Sequence, residues 1–139
     1  MNDNSRHTKT LATTTTTVNK YEAVPYEQPS VGPALTAVHL EETFAGDVTG
    51  KGVAQVLQAI NPDGSLTFVT IERVEGEIAG RHGSFLLQVT GTVVDQHMHA
   101  KWFVIVGSAT NELEGLRGTG GFEATLGKSG HATLTYWFE

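Results

Sequence analysis

From Ala34 to the C-terminus, apolar and polar residues alternate with a period of two, the mark of strands that bury one face. Gly- and Asp-rich punctuation breaks the alternation at 46–52, Asn61-Pro62-Asp63-Gly64, 80–83, Asp95-Gln96-His97, 107–121 and 127–130. No stretch with a helical period competes with it. Upstream, residues 1–8 are polar and read as a frayed tail. Thr13 to Thr17 form a β-branched run that reads as strand in preference to linker, and Gln28-Pro29-Ser30-Val31-Gly32-Pro33 is a loop because its prolines remove donors. The pattern predicts an all-β protein with a single domain over residues 9–139. Its architecture is a small eight-stranded antiparallel meander, and closure into a barrel would remove the sheet edges.

Hairpin register can be tested on the sequence, since apolar residues of both strands must share a face. A loop at Val48-Thr49 sets Phe44 opposite Val53, Glu42 opposite Gln55 and Leu40 opposite Leu57. The loop Asn61 to Gly64 then sets Gln55 opposite Thr70 and Val53 opposite Glu72. A turn at Arg81-His82 pairs Val74 with Val89, Glu72 with Gly91 and Thr70 with Val93. A turn at Gln96-His97 brings Trp102 beside Gly91 and Val104 beside Val89. One face is apolar throughout and becomes the expected barrel interior.

Polar residues on that face are the candidate chemistry. Glu42, Gln55 and Thr70 fall in a row across strands about 4.8 Å apart, with Glu72 about 7 Å along its strand from Thr70. Gly91 leaves space beside Glu72 and Trp102, while Arg73 points the other way. A buried carboxyl without a basic partner has its pKa raised toward the range useful for acid or base work. Against this stands a structural alternative: a bulge turns Glu42 or Glu72 outward, or both sit at a solvated mouth in a satisfied polar network.

Composition narrows the function classes. Nine Lys and Arg against fifteen Asp and Glu give a net charge of -6, which argues against a phosphate-backbone grip on nucleic acid. The absence of cysteine excludes disulfides, thiolate zinc sites and a Cys nucleophile. The opening residues lack the apolar run of a signal peptide and no window reaches membrane-spanning length, so the chain reads as soluble and cytoplasmic, without membrane partners.

Several short motifs fail on their context. Gly91 to His97-Met98-His99 matches the opening of the cupin metal motif, but the next ligand would fall at Phe103 or Val104, so no metal is expected. Gly46-Asp47-Val48-Thr49-Gly50-Lys51-Gly52 resembles a phosphate loop yet lacks the Ser or Thr for magnesium and precedes no helix. It reads as a hairpin turn. Gly118-Thr119-Gly120-Gly121 lacks the strand-to-helix setting of a dinucleotide fingerprint and reads as backbone bending at a barrel corner. No Gly-x-Ser-x-Gly nucleophile elbow occurs.

Taken together, Asn61-Pro62-Asp63-Gly64-Ser65, Ile71-Glu72-Arg73, the run from Gly80 to Gln88, Gly91-Thr92, Gly115 to Gly120 and the closing Leu134-Thr135-Tyr136-Trp137-Phe138-Glu139 resemble a bacterial family of unknown function with an allene oxide cyclase-like, calycin-type barrel. The resemblance runs from about residue 12 to the end. It implies an internal cavity and cofactor-free relatives such as the barrel cyclases that close polyketide rings. That family often carries His at the position of Val89, which implies a more apolar cavity here. The expectation is therefore a cofactor-independent isomerase or cyclase acting on a small hydrophobic, polyketide-like or fatty-acid-like molecule. Glu72 would be the catalytic acid, base or anchor. Glu42, Gln55, Thr70 and Tyr136 would meet polar substrate groups, and Phe68, Val89 and Trp102 would shape the cavity. A non-catalytic carrier or sensor of a small hydrophobic ligand is the alternative, and a structural protein with a filled interior is a third. On the outward face, Val69, Ile71, Leu86, Phe103 and Ile105 form a patch that predicts a homodimer, unless the segment from Val18 to Pro33 covers it.

Overall fold

A computed structural model describes residues 8–139. The expected frayed tail, apart from Thr8, lies outside the described residues. Eight strands follow in chain order: β1 (Thr10–Glu27), β2 (Ala34–Gly46), β3 (Val48–Ile60), β4 (Leu66–Ile78), β5 (Arg81–Val94), β6 (His97–Val104), β7 (Leu116–Thr125) and β8 (Gly130–Phe138). Each pairs antiparallel with its sequence neighbour, and β8 returns to β1 to close the barrel. The described residues otherwise contain one 3-10 turn at Asn111–Leu113, and no helix among them is long and apolar enough to cross a membrane.

The sheet keeps the expected face on β4, β5 and β6 and reverses it on β3. Leu87 stands opposite Glu72, where Gly91 was expected, and Val89 stands opposite Trp102. Both offsets are even, so no side chain changes face. They arise because the turns fall at Ala79-Gly80 and Asp95-Gln96, all four residues having positive φ, as two-residue hairpin loops of the twist-compatible kind require. On β3 the offset is odd: Glu42 faces Gly52 and Thr70 faces Val56. Ala54, Val56 and Gln58 therefore point inward, while Val53 and Leu57 are about half exposed.

The two ends of the barrel differ. At one end Leu113, fully buried on the 3-10 turn, sits against β5 and plugs the interior in one core with Val74, Ile78, Phe85 and Leu116. That plug is held to β5 by main-chain and side-chain bonds. Thr110 N–H donates to Ser84 O at 2.9 Å, Ser84 N–H to Thr110 Oγ1 at 3.0 Å, and Leu86 N–H to Ser108 Oγ at 3.0 Å. These supply β5 with the ladder partners that short β6 does not reach. At the other end nothing equivalent among the described residues fills the space. Pairing of β1 with β8 stops at Thr16 and Gly130, and a bulge follows between Val18 and Lys20. The rest of β1 continues to Glu27 beside β2 alone.

Candidate functional site

The unfilled end contains a cavity of about 310 Å³. Its wall is largely hydrocarbon: Leu40, Ala54, Val56, Leu66, Val89 and Val93 on β2 to β5, then Met98, Ala100, Trp102 and Phe122 on β6 and β7. Val18, Tyr21 and Leu126 stand at the rim, each at least half exposed. The polar side chains that line it are few: Glu42, Glu72, Thr70 and Gln58, with Tyr21 at the rim.

Glu42 and Glu72 stand on β2 and β4, on either side of β3. The residues between them on β3 are Gly52, opposite Glu42, and Ala54, opposite Glu72. With almost no side chain in the way, the two carboxyls face each other across β3, and Glu42 acts on Glu72. A Cβ on Gly52 would collide with Glu72 Oε2 and lie 2.9 Å from the Phe44 ring. Glu72 is 3% exposed and Glu42 7% exposed. Glu72 Oε2 is buried with no hydrogen-bond partner among the described residues. Burial pushes the Glu72 carboxyl well above the usual carboxylate range, and the neighbouring Glu42 carboxyl pushes it the same way. The pair therefore retains a proton under conditions in which ordinary glutamates have lost theirs.

The remaining polar groups are mostly occupied by the protein itself. Trp102 Nε1–H donates to Thr133 O at 2.9 Å, and its ring leans on Phe122 at 6.1 Å between centroids. Gln58 Nε2 donates to Tyr21 Oη at 3.1 Å, a bond from β3 to the part of β1 that has left β8 and pairs with β2. Thr70 lies beside Val56 and Val89.

A family described as a protein of unknown function (DUF3224) matches residues 12–138. The chain belongs to the DUF3224 family. A solved structure of a DUF3224 protein with unknown function from Shewanella oneidensis MR-1 is similar to it, with 28% sequence identity and a TM-score of 0.76, covering 96% of this chain and 98% of that one. No curated protein matches the chain.

Within this DUF3224 barrel, Glu42, Phe68, Thr70, Glu72, Val89 and Trp102 line the cavity together, and the bulge or solvated-mouth placement of either carboxyl does not occur. Two expected members do not join them. Gln55 points outward because β3 presents its other face, and it hydrogen-bonds His39 Nδ1 at 3.1 Å on the surface. Tyr136 is inside but at the plugged end, between Gly118 and Thr10, in edge contact with Phe138 at 6.1 Å. The space beside Glu72 comes from Gly52 and not from Gly91, whose missing side chain makes room for the Phe68 ring. Gln58 and Gly52 were hidden in the sequence by the reversed face of β3.

The other motifs resolve into framework. Asp47 is a hairpin residue whose Oδ2 accepts from Thr13 N–H at 2.9 Å, and the backbone at Gly120 lies against Thr133 O. His97 and His99 share the outer face of β6, where His99 meets Glu123 at 3.0 Å. Among the described residues no group of three or more His, Asp or Glu is arranged to hold a metal ion.

Proposed function

We propose that this barrel binds a small hydrophobic molecule in its open end and acts on it as a cofactor-independent isomerase or cyclase. The observation that carries this reading is the Glu42–Glu72 pair, a proton-holding carboxyl beside a second carboxyl on the wall of an otherwise apolar cavity. A carboxylic acid next to a carboxylate supplies both halves of a proton shift. Glu72 gives its proton to one atom of the substrate while Glu42 accepts one from another, so the substrate leaves as an isomer and the pair keeps its single proton. The hydrocarbon wall, with Trp102, Phe68 and Val89, holds a polyketide-like or fatty-acid-like carbon skeleton folded for that exchange.

One observation favours a carrier or sensor as the second reading. Gln55 and Tyr136 lie away from the cavity and the Trp102 N–H is spent on Thr133, so few groups remain to orient a reacting molecule. Native mass spectrometry of freshly purified protein, followed by incubation with conjugated polyenes and polyketide-like compounds, separates the two. An isomerised product that disappears in Glu72→Gln supports the enzyme. Bound compound recovered unchanged supports the carrier. A protein that retains and takes up no such compound has neither function.

A further inference from the structure

The charge of the carboxyl pair narrows the ligand further. Among the described residues, none that lines the cavity is Lys, Arg or His. The inward neighbours of the pair across the strands are Val18, Gly52, Ala54 and Leu87. Of the basic residues nearby in sequence, Lys51 and Arg73 belong to the outward face and are exposed, and His39 hydrogen-bonds Glu41 and Gln55 on that same face. When the pair holds one proton, one negative charge remains with no cation among the described residues of the cavity wall, and a buried charge is costly unless it is paired. Glu72 Oε2 adds a buried acceptor without a hydrogen-bond partner among the described residues. The same cavity is lined by the rings of Phe68, Trp102 and Phe122, and the electron-rich faces of aromatic rings attract cations.

We infer that the ligand is a small apolar molecule carrying one protonated amine, with its ammonium against Glu42 and Glu72 and its hydrocarbon body against Phe68, Trp102 and Phe122. The inference rests on the reading of this cavity as a ligand site and specifies what enters it. An ammonium donates to both carboxyls, satisfies Glu72 Oε2 and neutralises the remaining charge in one step. A neutral molecule of the same shape leaves that charge unpaired, and a carboxylate adds a second like charge beside it. Size is consistent with a two-ring body, because cavities of roughly 150 Å³ accept a benzene and this one has about 310 Å³.

Three probes of matched shape test this by isothermal titration calorimetry at pH 7: 2-(2-naphthyl)ethylamine, 2-(2-naphthyl)ethanol and 2-naphthylacetate. The amine is expected to bind at least tenfold more tightly than the alcohol, and the acetate to bind most weakly. In Glu42→Gln, which keeps the shape and removes the charge, the amine should fall to the level of the alcohol while the alcohol is unchanged. Equal affinity for amine and alcohol in the wild-type protein, or a preference for the acetate, overturns the inference and leaves the cavity reading standing. Failure of all three probes to bind the folded protein overturns the cavity reading and the inference with it.

Discussion

Glu72 rests its carboxyl on the bare Cα of Gly52, one strand away, and that contact lets two acidic side chains share the inside of the barrel. The φ of Gly52 lies outside the left-handed region, so the glycine serves space and not backbone conformation. Gly52→Ala should therefore destabilise by about 1–3 kcal/mol through overpacking. The double variant with Glu72→Ala should recover much of the loss, because the clashing atom is gone. Urea denaturation of the wild type, both single variants and the double variant checks this coupling. Additive losses would mean that Gly52 matters for some other reason.

The raised Glu72 pKa fixes the sign of a pH effect. Folding favours the protonated form, so the contribution of this group is fully present below the unfolded-state pKa of about 4.3 and is lost as pH rises through the higher folded-state value. Glu72→Gln mimics the protonated group at every pH. Denaturation midpoints should show the variant gaining on the wild type at pH 8 and losing that advantage toward pH 4. An NMR titration of Glu72 that gives an ordinary exposed-glutamate pKa would remove both this effect and the proton-holding role of the pair.

The plugged end and the open end should respond independently. Leu113 is buried among Phe85, Ile78 and Leu116, far along the barrel from Glu72, and does not line the cavity. Leu113→Ala is expected to lower stability by about 2–5 kcal/mol while leaving naphthyl-probe affinity within a factor of two at a temperature where the variant is folded. Calorimetric melting and probe titration on the same sample separate the effects.

The limits of the sequence follow from which quantities a period-two pattern encodes. On β4 the large apolar Phe68, Val74 and Ile78 share one face while Thr67, Arg73, Glu75 and Glu77 share the other, so its inward face is legible although Val69 and Ile71 point outward. On β3 both faces carry apolar residues, Val53 and Leu57 on one and Ala54 and Val56 on the other, so alternation leaves the choice of face open. There an odd slip exchanged Gln55 for Gln58. Even slips on the later hairpins left the faces intact, although they came from Ala79 taking a φ of 53°, which an alanine seldom adopts. Tyr136 shows a different limit: a pattern gives the face of a residue but not its height along the barrel axis. The length of β1 was also hidden, because beyond Thr16 its side chains are exposed on both faces and leave no alternation to follow.

The outer surface leads to a statement about assembly. Leu57 and Val69 are direct cross-strand neighbours, Ile71 and Val53 flank them, and each is close to half exposed, with Phe103 on β6 at 43%. Of the segment from Val18 to Pro33 that could have covered this patch, Val18 to Glu27 form the far part of β1 and pair along β2, and the patch residues stay about half exposed. An apolar area of this kind on a barrel wall is what an isologous contact uses, and we propose that a second copy of the chain covers it. Ile71→Glu places a charge at the centre of the patch without touching the cavity, since the side chain points away from Glu72. Sedimentation velocity at micromolar concentration should show a dimer for the wild type and a monomer for Ile71→Glu, with probe binding retained by both. A wild-type protein that sediments as a monomer would overturn the assembly, and a variant that stays dimeric would move the interface to another face of the barrel.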